Sequence, residues 1–278
     1  PNKDDWYETI KLNYGVDYCN PCGERTEHFD PIPSTWKKMT DILLFWARKG
    51  VDGFRCDMAE MVPAEFWTYA IKEVKNEFPY ILFIGEVYNP SLYDTYLQSG
   101  FDYLYDKVGM YDCVRGVITG TRKPTEITKQ WQATDHIKNK MLYFLENHDE
   151  QRIASPFFAN DAEKGFPGVV VSSLLLPNPF MLYAGQELGE PGMDAEGFSG
   201  RDGRTTIFDY WGIDKLYRGY YKKNALTAQE KVIWDKYNAI LHIASKEKVV
   251  SVGSFFDLMY ANPLTSNFNS NSLFHPCI

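Results

Sequence analysis

The 278-residue sequence has no run of about 20 apolar residues, the length that a membrane-spanning helix requires. Its first ten residues, PNKDDWYETI, also lack the basic and apolar segments of a secretory signal. The sequence therefore predicts a chain that is soluble as given and has no membrane partner.

Positive charge is scarce as well. The chain has 29 Lys and Arg residues against 37 Asp and Glu residues, for a formal net charge of −8. A protein that binds a polyanion gains most of its affinity by releasing counterions to basic side chains, and an acidic surface forfeits that gain. We expect a neutral substrate and no nucleic-acid partner.

Cysteines are few and odd in number, five in all. Cys19 and Cys22 form an isolated C-x-x-C pair, whereas a structural zinc site needs a second pair or histidines at ligand spacing. No such partners follow in the sequence, so we assign no metal site to this pair.

Aromatic residues are abundant at 16%, with 7 Trp and 19 Tyr. Flat side chains of this kind suit contacts with sugar rings, but they fill protein cores equally well. Composition alone favours the core interpretation.

Strand and helix patterns alternate along the chain. Apolar residues at helical spacing predict a helix over about 35–49, ended by Gly50 in a left-handed conformation. A short apolar strand follows at 51–57, and a second helical pattern begins after Pro63. Four more strands are predicted at 80–86, 101–106, 141–147 and 180–184. This alternation predicts an α/β fold with a parallel sheet and a site at the carboxyl ends of its strands.

Acidic residues close three of the predicted strands: Asp57, Glu86 and Asp149. Taken singly, an Asp after a strand is more often a solvated charge or a helix cap. Asp57 and Glu86, however, are separated by the length of one helix, two connections and a strand, which places them on neighbouring strands. Retaining cleavage of a glycosidic bond requires two carboxyl groups about 5–5.5 Å apart. The spacing predicts such a pair.

The two acids need different surroundings. Arg55 lies two residues before Asp57 and therefore on the same face of the strand, where its cation would keep Asp57 ionised as a nucleophile. Glu86 must instead carry a proton, which burial and negative neighbours would favour.

Three segments carry a family resemblance: GFRCD, the GE of FIGEVY, and the NHD of LENHDEQR. Their order and spacing resemble three signature segments of the α-amylase superfamily. The resemblance implies that Asp57 is the nucleophile, Glu86 the general acid/base and Asp149 the transition-state stabiliser.

The same resemblance suggests supporting residues. It implies that Arg55 is the family's supporting arginine and His148 its sugar-binding histidine. Arg152, four residues past His148, is predicted to bind substrate, with a surface or salt-bridged arginine as an equal alternative.

The superfamily fold is an eight-stranded (β/α) barrel, and the five predicted strands match its fourth to eighth strands. Residues 1–33 resemble the end of the long excursion after the third strand, and 34–248 would form a partial barrel. Residues 249–278 have strand-like composition and would begin a small C-terminal β domain. No D-x-x-x-N-H segment precedes Asp57, so we expect a fragment whose open barrel edge favours self-association.

Residues Met58 to Glu60 stand where many starch-cleaving relatives have Lys-His. The family's calcium link therefore cannot be transferred to that segment. The resemblance to the family is the one remaining reason to expect bound calcium. The same habit favours a secreted or periplasmic location.

The leading hypothesis is a retaining glycoside hydrolase that acts on α-linked glucans or malto-oligosaccharides. An α-glucan transglycosidase shares its covalent intermediate and stays open as an alternative, as does a truncated, non-catalytic carbohydrate-binding fragment. A doubly wound dehydrogenase is excluded because no Gly-rich phosphate turn follows an early strand.

Overall fold

The computed structural model describes residues 12–192, 202–205, 212–222 and 225–259. Two compact units make up the chain, Pro1–Tyr105 and Asp106–Ile278. The division falls between Asp106 and Tyr105, the last residue of a parallel strand.

The first unit contains an antiparallel pair of short strands, β1 (Val16–Asp17) and β2 (Thr26–Glu27). Parallel strands and helices then alternate as α1 (Ser34–Ala47), β3 (Gly53–Cys56), α2 (Ala64–Glu77), β4 (Leu82–Gly85), α3 (Tyr93–Gln98) and β5 (Tyr103–Tyr105). Short 3-10 turns lie at Ala59–Met61 and Pro90–Leu92. The predicted elements of this unit are confirmed, with strands a few residues shorter than expected.

Helices α1 and α2 follow from local sequence. Gly50 adopts a φ of 89°, the left-handed conformation that was predicted beyond the end of α1. Helix α2 starts directly after Pro63, and Phe66, Ala70 and Val74 are buried at four-residue spacing along one face. Helix α2 therefore buries the apolar face that its periodicity predicts.

The pairing of β3 with β4 fixes the position of the first two acids. The two strands run parallel with Gly53 opposite Leu82 and Cys56 opposite Gly85. The next residue on each strand is Asp57 and Glu86, so both acids leave the sheet at the same edge.

The second unit contains α4 (Asp112–Ile118), α5 (Glu126–Ala133), β6 (Met141–Phe144), α6 (Phe166–Leu174), β7 (Phe180–Met181), α7 (Asp214–Leu216), α8 (Ala228–Lys246) and α9 (Lys248–Val252). Single π-helical turns lie at Lys107–Tyr111 and Tyr217–Tyr221, and 3-10 turns at Asp135–Lys140, Ala162–Gly165 and Gln186–Leu188. Strands β6 and β7 pair in parallel, with Tyr143 opposite Phe180. All four residues of β6 are buried, as expected of a strand in a parallel sheet.

A capping box starts α8. The Thr227 hydroxyl accepts from the Glu230 N–H at 3.2 Å, and the Glu230 carboxylate accepts from the Thr227 N–H at 2.8 Å. These bonds satisfy two N–H groups that the first helical turn leaves without a partner.

The C-terminal segment differs from the prediction where the structure describes it. Residues Lys248–Val252 form the short helix α9, and 253–259 contain no strand. The segment directly follows the 19-residue helix α8. Its β-branched residues Val249, Val250 and Val252 favour a strand, but the preceding helix favours a further helical turn. Residues 260–278, the rest of the expected β domain, lie outside the described residues.

Each helix in the described part of the chain is too short or too polar to cross a bilayer.

Asp106 is a buried carboxyl at the start of the second unit. Its Oδ1 accepts from the Met110 N–H at 2.9 Å and caps the π-helical turn, while Oδ2 has no hydrogen-bond partner. Burial disfavours the charged form and raises the pKa of Asp106 from 3.8 to about 6. The carboxyl is thus harder to ionise in the folded chain than in the unfolded one.

This difference predicts a pH dependence of stability. The unfolded Asp106 loses its proton near pH 3.8, so the free energy of unfolding falls as the pH rises toward about 6. Asp106→Asn should abolish the part of this fall that Asp106 causes. At neutral pH it should raise the free energy of unfolding by up to about 3 kcal/mol, since one pKa unit corresponds to about 1.4 kcal/mol. Urea unfolding across this pH range measures it.

The matched control is Asp135→Asn, because Asp135 is half exposed and pairs with Lys138 at the surface. This variant should keep the wild-type fall. An Asp106→Asn protein with an unchanged pH profile would show that Asp106 is not the buried acid described here.

Candidate active site

Arg55 connects the two acids that follow β3 and β4. Its Nη1 donates to Asp57 Oδ1, and its Nη2 lies 2.8 Å from Glu86 Oε1. The structure therefore brings Arg55, Asp57 and Glu86 together, which is the arrangement that their strand positions predicted.

Asp57 and Glu86 lie in different environments. The Asp57 side chain is 71% exposed, whereas Glu86 is only 2% exposed. An accessible carboxylate can reach a substrate carbon, and a buried carboxyl is shielded from competing water. The two carboxyl groups thus differ in their access to solvent.

Glu86 accepts hydrogen bonds on both carboxyl oxygens. In addition to Arg55, the Tyr88 hydroxyl donates to Oε1 at 3.0 Å, and the Met58 N–H donates to Oε2 at 2.8 Å. These contacts fix the rotamer of a side chain that would otherwise turn freely about three bonds.

Met58 has an unusual backbone conformation, with φ 44° and ψ 45°. This left-handed conformation is uncommon for a residue with a Cβ and turns the chain sharply after β3. The turn directs the Met58 N–H at Glu86, and the next N–H, of Ala59, donates to the Glu86 carbonyl at 2.9 Å. Sequence analysis missed this role because the backbone of any residue type could supply it.

Arg55 also contacts Tyr105, the last residue of β5. Its guanidinium lies 5.5 Å from the centre of the Tyr105 ring. Burial alone would lower the pKa of Arg55, but hydrogen bonds with Tyr105 and Asp57 and the charge of Glu86 raise it on balance. Arg55 therefore remains a cation between the two acids.

The second unit holds His148 and Asp149 in the turn after β6. The Asn147 side-chain oxygen accepts from the N–H groups of Asp149 and Glu150, each at 2.9 Å. His148 Nε2 lies 3.1 Å from Asp149 Oδ2, and both side chains are partly exposed. The pair is thus accessible and held on a defined turn.

Glu150 anchors this turn to the start of the second unit. Its carboxylate accepts from the Tyr111 hydroxyl at 2.8 Å and lies 3.3 Å from Lys107 Nζ. The Tyr111 ring stacks on Phe144, the last residue of β6, with centroids 4.9 Å apart. The turn that carries Asp149 is therefore held by the contacts of Glu150 with Tyr111 and Lys107 and by the stacking of Tyr111 on Phe144.

Arg152 does not fit the substrate-binding role that was expected of it. The residue is 0% exposed, and its Nη1 donates to Glu146 at 2.8 Å. Its Nε donates to Thr205 and its Nη2 to the Ala184 carbonyl, so each guanidinium nitrogen has a protein partner. Because no surface is left for a sugar, we correct the prediction in favour of the salt-bridged alternative.

The described residues contain no group of three or more His, Cys, Asp or Glu side chains placed to hold a metal ion. Cys19 and Cys22 are free and exposed. Calcium is also coordinated by backbone carbonyl and amide oxygens, and it stays a prediction.

The family model that matches the chain is that of the alpha amylase catalytic domain, over residues 32–238. "Alpha-amylase 3" of Dictyoglomus thermophilum is 26% identical over 240 residues, which cover 80% of this chain and 48% of the relative. "Neopullulanase 2" of Thermoactinomyces vulgaris is also 26% identical, over 60% of this chain and 28% of the relative. The chain thus spans about half or less of the length of these relatives.

Solved structures agree on the fold. An alpha-amylase from Lactobacillus plantarum is 25% identical, with a TM-score of 0.52, over 66% of this chain and 47% of its own. An alpha-amylase from H. orenii gives a TM-score of 0.60 at 21% identity, over 84% of this chain and 51% of its own. The predicted α/β class and partial (β/α)8 barrel are confirmed, and the chain belongs to the alpha-amylase family.

Proposed function

We propose that this chain carries the catalytic residues of a retaining glycosidase that hydrolyses α-linked glucans or malto-oligosaccharides. The observation that carries the proposal is the Arg55 bridge between an exposed Asp57 and a buried Glu86 on adjacent strand ends. Relatives named as an alpha-amylase and a neopullulanase support the substrate class.

In the first step, the Asp57 carboxylate attacks the anomeric carbon and forms a glycosyl ester. The bond from that carbon to the leaving oxygen breaks as Glu86 transfers its proton to that oxygen. Arg55 remains a cation throughout and holds the attacking carboxylate in place through its hydrogen bond to Oδ1.

In the second step, the Glu86 carboxylate removes a proton from water. The resulting hydroxide attacks the anomeric carbon and displaces Asp57, so the product retains its configuration. In the same proposal, His148 and Asp149 bind sugar hydroxyls and stabilise the transition state, a role that their partial exposure permits.

Transfer to a sugar hydroxyl is the second candidate, because it begins with the same glycosyl ester. Relatives named as alpha-1,4-glucan:maltose-1-phosphate maltosyltransferases support it, including one from Cereibacter sphaeroides that is 37% identical over 57 residues. That match covers only 20% of the chain, so hydrolysis remains the leading proposal.

Product analysis from maltoheptaose separates the two candidates. The natural full-length protein should yield only shorter oligosaccharides, because water is the acceptor in hydrolysis. Chains longer than the input, seen by chromatography at early times, would favour transfer instead. Glucan binding without any product would favour a non-catalytic protein.

Self-association and a secreted or periplasmic location stay predictions.

A further inference from the structure

Tyr88 lies two residues beyond Glu86, and its side chain returns to the same carboxyl. Its hydroxyl donates to Glu86 Oε1 at 3.0 Å. Arg55 Nη2 lies 2.8 Å from that same oxygen, so Oε1 is shared between a cation and a phenol. This contact is chemically different from sugar stacking or core packing, the usual roles of an aromatic residue near a site.

The three partners of Glu86 differ in what they can do. An arginine and a backbone N–H are donors only, and both therefore suit an ionised carboxylate. A tyrosine hydroxyl can donate or accept by rotating its hydrogen. Glu86 has one acid proton, which must point at the leaving oxygen, so the phenol serves by donating to Oε1 and leaves Oε2 to carry that proton.

We propose that Tyr88 is a positioning residue for the acid/base Glu86, bonded to it in both of its protonation states. The proposal rests on the proposed role of Glu86. Before the first step, the phenol donates to Oε1 of the neutral acid, whose single proton, on Oε2, points at the leaving oxygen. As that proton moves to the leaving oxygen, the same phenol hydrogen bond comes to stabilise the new carboxylate.

The hydrogen bond to the charged carboxylate is stronger than the one to the neutral acid. Tyr88 therefore stabilises the transition state of proton donation more than the ground state, which is the condition for raising a rate. The benefit should depend on how much the leaving group needs that proton. A sugar alcohol needs it fully, whereas a dinitrophenolate departs without it.

Tyr88→Phe tests the proposal by removing one oxygen atom. In the natural full-length protein, kcat/KM should fall about tenfold on maltoheptaose, as expected for a hydrogen bond to a charged group. On dinitrophenyl α-maltoside, kcat/KM should change by less than about twofold, because the first step no longer requires the proton. A purely structural role would lower both values equally.

Tyr96→Phe is the matched control. The Tyr96 hydroxyl donates to the backbone carbonyls of Glu60 and Val62 at 3.1 and 2.8 Å, so this variant also loses a phenol oxygen in the first unit. It should leave the ratio of the two kcat/KM values unchanged.

Glu86→Gln, measured in parallel, separates the two proposals. It should lower kcat/KM on maltoheptaose at least about a hundredfold while largely retaining that on the dinitrophenyl substrate. Suppose that Glu86→Gln shows this pattern, but that Tyr88→Phe lowers kcat/KM equally on both substrates or changes it on neither. The Tyr88 proposal is then wrong and the proposed function stands. If Glu86→Gln leaves maltoheptaose cleavage intact, the proposed function is wrong and the Tyr88 proposal falls with it.

Discussion

Replacing Asp57 with asparagine is expected to lower kcat on maltoheptaose at least about a thousandfold, because an amide cannot form the glycosyl ester. Asparagine keeps the size of the side chain and an oxygen for the Arg55 contact, so the fold should be retained. Steady-state rates, with unfolding in urea recorded beside them, measure both effects.

The control for this change lies on the same connection. Asp52 is exposed, directly precedes β3, and contributes only its backbone carbonyl to the Leu82 N–H, so Asp52→Asn should keep wild-type rates. An Asp57→Asn protein that retains a tenth or more of the wild-type rate would place the nucleophile elsewhere.

Arg152→Met is expected to destabilise the protein by about 3–5 kcal/mol, the usual cost of breaking a buried ion pair. The variant removes the cation from Glu146, which is almost completely buried beside it. Burial already raises the pKa of Glu146, and Arg152 is the main opposing influence. Without it, the carboxyl must remain as an uncompensated charge or take up a proton. The midpoint of urea unfolding reports the loss.

A surface pair provides the comparison. Arg48 pairs with Glu77 at 2.8 Å with both side chains about half exposed, so Arg48→Met should shift the midpoint far less. The double variant Glu146→Leu, Arg152→Met should recover much of the lost stability, because it leaves no unpaired charge buried. A single Arg152 variant as stable as the wild type would contradict the structural role assigned here.

The sequence predicted the acids well because strand ends are encoded locally. Short apolar runs closed by Asp57 and Glu86 could be recognised from neighbouring residues, and the observed register places these two residues side by side. The same local signals located α1 and α2.

Arg152 shows where local reasoning fails. Its distance of four residues from His148 suggested a shared face, but the chain turns away, and the Arg152 N–H donates to the Gly203 carbonyl at 2.8 Å. A partner 51 residues downstream cannot be read from spacing. Exposure of an arginine is set by such distant contacts, so sequence pattern left both interpretations open.

Tyr88 and Met58 were missed as partners of Glu86 for a different reason. Their roles depend on a side-chain rotamer and on a left-handed backbone turn, which residue type alone does not specify. The short helix α9 was missed because β-branched residues favour strands on average, and the preceding helix outweighs that preference.

The most direct test of the account is to identify the residue that forms the glycosyl ester. The natural full-length protein would be treated with a fluorinated α-maltosyl fluoride, which slows the second step, and then digested for mass spectrometry. We predict one added sugar mass on the peptide that contains Asp57, stable in acid and absent from Asp57→Asn. An active protein whose label lies on another residue, or that releases product with inverted configuration and no label, would contradict the double-displacement mechanism assigned to Asp57 and Glu86.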